Sequence, residues 1–295
     1  MSDSEKSDDS RLDTHRVRAS FDRASSGYDH AAALQSRVRD ELIDRLKLFK
    51  LTPQVALDLG TGTGQGAQAL RGAYRRALIL ALDSAPGMLR EARRRSGIFR
   101  RFERILADAA RLPLATASVD LVFSSLMLQW CTDLAGPLAE VRRVLSPGGL
   151  FAFSTFGPDT LQELRASWAA VDEDSHVNRF FDLHDVGDAL MRAGFLEPVL
   201  DVERVVLTYP NTTALMRDLK AIGAHNATRG RPRGLTGRAH MEKMRNAYER
   251  FRRGESLPAS FEVVFATAWG GTDAPVASMI GGEARISVDA IRRRT

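Results

Sequence analysis

The stretch Val55-Ala-Leu-Asp-Leu-Gly-Thr-Gly-Thr-Gly-Gln65 constrains this chain more than any other. An apolar run ends in three glycines at alternate positions, and residues that suit a helix follow. Glycine tolerates positive φ and lets a ligand approach the backbone closely. A buried strand that feeds a helix through such a loop belongs to an open α/β sheet. Ligands of those sheets bind beyond the carboxyl ends of the strands, where the strand order switches. The loop therefore predicts a fold class and the place of a site together.

The pattern after it supports that fold. Strands are expected at 55–59, 77–82, 105–107, 119–124 and 150–155, with helices at 65–74, 86–95 and 134–144 between them. Such alternation argues for a doubly wound, mostly parallel sheet covered on both faces. Upstream, the pattern is helical from about 16 to 51, where Leu34, Val38, Leu42, Leu46 and Phe49 recur at three- and four-residue steps as an amphipathic stripe. Downstream the rhythm changes to helices at 158–171 and 183–193, a strand at 199–209, helices within 211–256 and a last strand at 261–269. Two helical insertions, at about 157–181 and 211–256, are expected as a lid within one domain spanning 15–270. Residues 1–14 are polar and acidic and are expected to be disordered. The tail at 271–295 is read as loop-like, ending in Arg292-Arg293-Arg294.

Composition narrows the setting. Across 295 residues, 44% are hydrophobic and 27% charged, a profile that can bury a full core without staples. The one cysteine, Cys131, forms no internal disulfide, so a reducing cytoplasm is the simplest location. No apolar run approaches the roughly 20 residues that cross a bilayer, so no membrane partner is expected. The formal net charge of +5 comes with no zinc knuckle or RNP-like aromatic motif, so nucleic acid is not expected either.

The glycines alone leave the ligand open. Gly62 to Ala67 fits the G-x-G-x-x-A spacing of a dinucleotide site. Acids at three successive strand ends favour S-adenosylmethionine instead. Asp58 precedes Gly60 by two and suits the amino-acid end of that cofactor. Asp83 ends the second strand, where a carboxylate accepts ribose hydroxyls, and Asp108-Ala109 follows the third, where adenine is expected. Gly60, Gly62 and Gly64 form the loop, Ser84 and Met88 flank the ribose and adenine, and Ser124 stands at the cleft. No metal site is read.

Taken in order, Asp58-Leu-Gly-Thr-Gly-Thr-Gly64, Leu82-Asp83, Ala107-Asp108-Ala109, Phe123-Ser124-Ser125 and Leu145-Ser-Pro-Gly-Gly149 resemble the class I S-adenosylmethionine-dependent methyltransferases. The resemblance implies a Rossmann-like sheet of seven strands whose last strand, here 261–269, runs antiparallel.

The acceptor is written elsewhere. After the fourth strand stands Ser124-Ser-Leu-Met-Leu-Gln-Trp-Cys-Thr-Asp133, without the Asn/Asp-Pro-Pro-Tyr motif of nitrogen methylation and without a nearby Lys or His. A carboxylate acceptor is already ionised at neutral pH and needs no general base. Leu128-Gln-Trp-Cys131, Phe156-Gly-Pro-Asp-Thr-Leu-Gln-Glu-Leu-Arg165, His176-Val-Asn178, Gly223-Ala-His-Asn-Ala-Thr228 and Arg233-Gly-Leu-Thr-Gly237 resemble the malonyl-[acyl-carrier protein] O-methyltransferases of biotin synthesis. That resemblance implies esterification of the free carboxyl of a malonyl thioester, on carrier protein or coenzyme A, before elongation toward pimelate. On this reading Tyr28 closes over the methyl group and Gln129 lines the cleft. His225, Asn226, Arg229 and Arg231 hold the malonyl carboxylate or thioester, while Trp130 is packing. The lid motifs also resemble methyltransferase-like assembly factors of respiratory complex I, linked to arginine hydroxylation, and a quinone or small-acid methyltransferase is a further alternative.

Overall fold

Strand β1 (Val55–Leu59) is buried at four of its five positions, the pattern of a parallel strand covered on both faces. Around it, β2 (Leu78–Asp83), β3 (Glu103–Leu106), β4 (Val119–Ser125), β5 (Leu145–Phe156), β6 (Phe195–Tyr209) and β7 (Leu257–Gly270) complete a seven-stranded sheet in the order β3-β2-β1-β4-β5-β7-β6. This computed structural model describes residues 11–97, 101–231, 234, 237–271, 278–280 and 283–285. Strands β1 to β5 pair parallel, and β7 runs antiparallel to both β5 and β6. The order reverses between β1 and β4, which opens a crevice at their carboxyl ends.

Helices cover both faces. On one face, α3 (Ala33–Leu46) and α4 (Gln65–Ala73) send Leu34, Val38, Leu42, Leu46 and Leu70 into the core. On the other, α6 (Ala135–Val144) and α8 (Leu183–Arg192) contribute Leu138, Val141, Val186 and Leu190. Helix α5 (Pro86–Arg95) starts on proline, whose fixed φ suits a first helical turn.

The helical stretch expected over 16–51 divides into three helices: α1 (Thr14–Ala24), α2 (Tyr28–Ala31) and α3. Ser25, Ser26 and Gly27 favour a helix end over a helix interior. The apolar stripe from Leu34 belongs to α3 alone, and Phe49 packs on the core from beyond the helix. Of the segment 1–14, residues 11–14 are described and ordered. Asp13 caps α1 through Arg16 N–H at 3.2 Å, and Leu12 is buried and bridges Thr228. Residues 1–10 lie outside the described residues.

The first insertion also differs in detail. Helix α7 (Gln162–Ala169) starts later than expected, because Leu161 takes φ +56° and Gly157–Thr160 is tied to β7. Gly157 N–H donates to the Glu262 carbonyl at 2.9 Å, and Asp159 N–H donates to its carboxylate at 2.9 Å. The second insertion carries α9 (Thr212–Ala221) and α10 (Arg238–Glu249), and α10 packs on α7. Asn178 joins the two insertions, its Oδ1 accepting the Ala227 N–H at 3.1 Å. The tail read as a loop contains a short antiparallel pair, β8 (Ser278–Ile280) with β9 (Glu283–Arg285). Arg292, Arg293 and Arg294 lie outside the described residues.

Candidate active site

The glycine loop folds back onto the end of β2. Gly60 and Thr61 N–H groups both donate to the Leu82 carbonyl at 2.9 Å, and Gly62 N–H donates to Asp83 Oδ2 at 2.9 Å. Gly60 sits at φ +76°, and a Cβ there would collide with the Met127 side chain. Side chains are therefore excluded for conformation and for space at once.

Asp58 lies beneath this loop. It is 2% exposed, and its Oδ2 accepts the Thr61 hydroxyl at 2.6 Å. A Cβ on Gly66 would stand 2.7 Å from the same oxygen, so Gly66 leaves the space that the carboxylate fills. Burial pushes the Asp58 carboxyl up to about 7, against the pull of Thr61 and the Ala67 N–H. Asp83 is raised as well, by burial, while N–H groups of Ala85, Gly62 and Ser84 hold it down. Asp108 accepts the Ala110 N–H at 2.9 Å, a turn bond that fixes its carboxylate past β3.

A cavity of about 640 Å³ opens over these strand ends. Its wall includes Gly60, Gly62, Asp83, Ser84, Met88, Asp108, Ala109 and Tyr28 among the residues expected from the sequence. Four others stand behind the wall. Asp58 is under the loop, and Gly64 caps α4 at φ +84°. Ser124 is fully buried and donates to the Leu59 carbonyl at 2.8 Å. Gln129 is 3% exposed, donates to the Leu126 carbonyl at 2.7 Å and accepts the Thr155 hydroxyl at 3.3 Å. Those contacts shape the turn that follows β4.

Helix α1 supplies a wall that sequence reasoning missed. Thr14, Val17, Arg18 and Phe21 face the cavity from it. Phe21 meets Trp130 edge-on, ring centres 5.1 Å apart, and lies 6.4 Å from Tyr28. Trp130 is thus both packing and cavity wall. Two aspartates pin this cover down. Asp22 accepts the Gly87 N–H at the start of α5 and lies 3.7 Å from Arg90. Asp29 accepts the Thr63 hydroxyl at 2.6 Å and the Gln65 amide at 2.7 Å, and pairs with Arg95. The helical spacing of residues 14, 17, 18 and 21 was visible, but half of them are polar and gave no apolar periodicity to read.

Two titratable groups on the wall are held neutral. Burial, then Asp83 and Asp29, raise the Tyr28 phenol above its usual range. Burial, then Asp108 and Asp133, push the Cys131 thiol up to about 12. Cys131 therefore stays a thiol and is no rival nucleophile. Arg18 and His15, both from α1, are the basic residues on this wall among the described residues.

The four acceptor candidates of the second insertion are not on it. His225 and Asn226 line a second cavity of about 370 Å³ with Arg16, Ala19, Ser20, Arg23 and Ala227. Asn226 is occupied structurally: its amide donates to the Ser175 carbonyl, and its Oδ1 accepts the Thr228 N–H and hydroxyl at 3.0 and 2.7 Å. Arg231 donates to the Thr228 carbonyl at 3.0 Å, and Arg229 N–H donates to the Arg11 carbonyl at 2.9 Å. Arg233 lies outside the described residues.

Known proteins resemble this chain in sequence and in fold. The family described as "Methyltransferase domain" matches residues 57–153, the segment from the glycine loop to β5. The malonyl-[acyl-carrier protein] O-methyltransferase of Methylovorus sp. (strain MP688) is 51% identical over 264 residues, covering 88% of this chain and 89% of that protein. The protein of the same name from Laribacter hongkongensis (strain HLHK9) is 53% identical over 265 residues, covering 87% and 89%. A solved structure of a putative methyltransferase from Bacillus halodurans aligns with TM-score 0.57 at 18% identity, over 79% of this chain and all of that one, a likeness of fold.

Proposed function

This chain belongs to the malonyl-[acyl-carrier protein] O-methyltransferase family, and from that membership we propose that it methylates the free carboxyl of a malonyl thioester with S-adenosylmethionine. The observation that carries the cofactor is the convergence of Asp83 and Asp108 on one cavity beside the backbone of Gly60 and Gly62. Asp83 suits the ribose hydroxyls, and Asp108, Ala109 and Met88 suit the adenine. Asp58, under the loop, favours the ammonium at the amino-acid end. When bound, the cofactor supplies a methyl on sulfonium, a leaving group that needs no protonation.

The chain's own part is placement and exclusion of water. A carboxylate acceptor arrives ionised, so no proton has to be removed. Its oxygen must be aligned with the methyl carbon, and alignment is where such an enzyme gains most. Asp83, Asp108 and Asp133 on the wall repel an anion. Arg18 offsets them, and it suits one carboxylate oxygen while the other faces the methyl. Gripping both oxygens would quench the nucleophile. Phe21, Tyr28 and Trp130 cover the reacting centre, where a dry site strengthens each polar contact. The neutral Tyr28 phenol adds no negative charge there.

The partner in this reading is malonyl-carrier protein or malonyl-coenzyme A, and the product ester primes pimelate and biotin synthesis. An arginine-rich surface suits an acidic carrier. The reading assigns no metal and no nucleic acid, and it goes with a cytoplasmic location, where Cys131 stays reduced. No helix among the described residues is long and apolar enough to cross a membrane. The test is methylation of malonyl-coenzyme A beside acetyl-coenzyme A. Ester formation on the malonyl thioester alone is expected; no ester on malonyl-coenzyme A or on malonyl-carrier protein, in protein that binds S-adenosylhomocysteine, contradicts the proposal.

A further inference from the structure

Helix α1 has two cavities on its two faces. At 100° per residue, positions 14, 17, 18 and 21 cluster on one side, toward the cofactor cavity. Positions 16, 19, 20 and 23 cluster on the opposite side and line the second cavity with His225, Asn226 and Ala227. The two walls differ in charge. The first carries Asp83, Asp108 and Asp133. Every ionisable side chain on the second wall is basic: Arg16, Arg23 and His225. Arg16 has one distant acid, Asp13 at 3.8 Å. Arg23 donates to the Ser20 hydroxyl at 3.3 Å and meets no carboxylate within ion-pair distance among the described residues. Burial first, and then the charges of Arg23 and Lys220, hold the His225 imidazole below its usual range.

We infer that this second cavity is a phosphate subsite, built by Arg16, Arg23 and His225, for the phosphate of the pantetheine arm that carries the acyl thioester. Guanidinium forks match phosphate oxygens in geometry as well as charge. A helix with its side chains is about 10–12 Å across, which an extended pantetheine arm spans. The phosphate then rests on one face of α1 while the thioester end reaches around to the other. The inference rests on the proposed acceptor, and it gives His225 a place that the cofactor cavity does not.

The test compares the wild type with R16Q/R23Q on malonyl-carrier protein, malonyl-coenzyme A and malonyl-N-acetylcysteamine, which has no phosphate. The wild type is expected to favour the two phosphate-bearing thioesters through KM. The double variant is expected to lose that preference by about tenfold or more, the worth of a charge-assisted hydrogen bond. Unchanged S-adenosylhomocysteine affinity shows that it is folded. An unchanged preference overturns the subsite. A loss confined to the carrier protein overturns it too, because the cations then read the carrier's acidic surface. Turnover of none of the three by the wild type contradicts the proposed reaction instead. Titration with inorganic phosphate decides the cavity in that case: binding weakened about tenfold in the double variant supports it, and equal binding refutes it.

Discussion

Asp83 both shapes and lines the site, accepting N–H groups of Gly62 at 2.9 Å and Ala85 at 2.8 Å while its carboxylate faces the cavity. Asp83→Ala is expected to weaken S-adenosylhomocysteine binding about 10- to 100-fold by calorimetry, the range for losing hydrogen bonds to a charged group; affinity within a factor of about two of wild type would remove it from the ribose. Asp58 makes binding depend on pH. Burial holds it near 7 in the free protein, so below that pH it carries a proton. A ligand ammonium favours the carboxylate, so binding expels this proton and affinity rises with pH until Asp58 is ionised beforehand. From about pH 6 to about pH 8 the gain is expected to be roughly tenfold, and flat in Asp58→Asn. A wild-type profile equally flat would break the link. Arg18→Met is expected to raise KM for the malonyl thioester about tenfold or more, with partial recovery in Arg18→Lys and S-adenosylhomocysteine affinity kept. A fall in cofactor affinity instead would place Arg18 on the cofactor's own carboxylate. The three aspartates were legible because strand, turn and acid stand together in sequence. Arg18 was not, because nothing local marks which face of a polar helix looks inward.

At the scale of elements, the glycine loop and sheet were legible from Val55 to Thr155, where apolar runs and turn residues alternate regularly. The cover was not. The stripe from Leu34 to Leu46 masked the break at Ser25–Gly27, and only tertiary ties from Asp22 to Gly87 and from Asp29 to Thr63 fix α1 and α2 over the cavity. Asp29→Ala is expected to speed amide exchange in residues 14–31, and S-adenosylhomocysteine is expected to slow it in the wild type; unchanged exchange in both would mean that α1 is not a working cover. The insertions were legible as helices but misassigned in reach. Glu163, within the Phe156–Arg165 motif, is 6% exposed and accepts the Ser260 N–H at 3.0 Å, tying α7 to β7. Glu163→Ala leaves that N–H without its partner. It is expected to cost about 1–3 kcal/mol in denaturant unfolding, with little change in S-adenosylhomocysteine affinity.

Across the whole molecule, one sheet divides the work. Its parallel half, β1 to β4, presents backbone and acids to a cofactor, and its antiparallel half, β5 to β7, anchors the insertions that meet the N-terminal segment through Leu12 and Thr228. The membership in the malonyl-[acyl-carrier protein] O-methyltransferase family and the acid-lined cavity with Arg18 on its wall point to one transfer. Intact-mass spectrometry of malonyl-carrier protein, incubated with the enzyme and S-adenosylmethionine, measures it directly. The expected result is a gain of one methylene in mass, absent with acetyl-carrier protein. No gain on malonyl-carrier protein or on malonyl-coenzyme A, from enzyme that binds S-adenosylhomocysteine, would contradict carboxyl methylation.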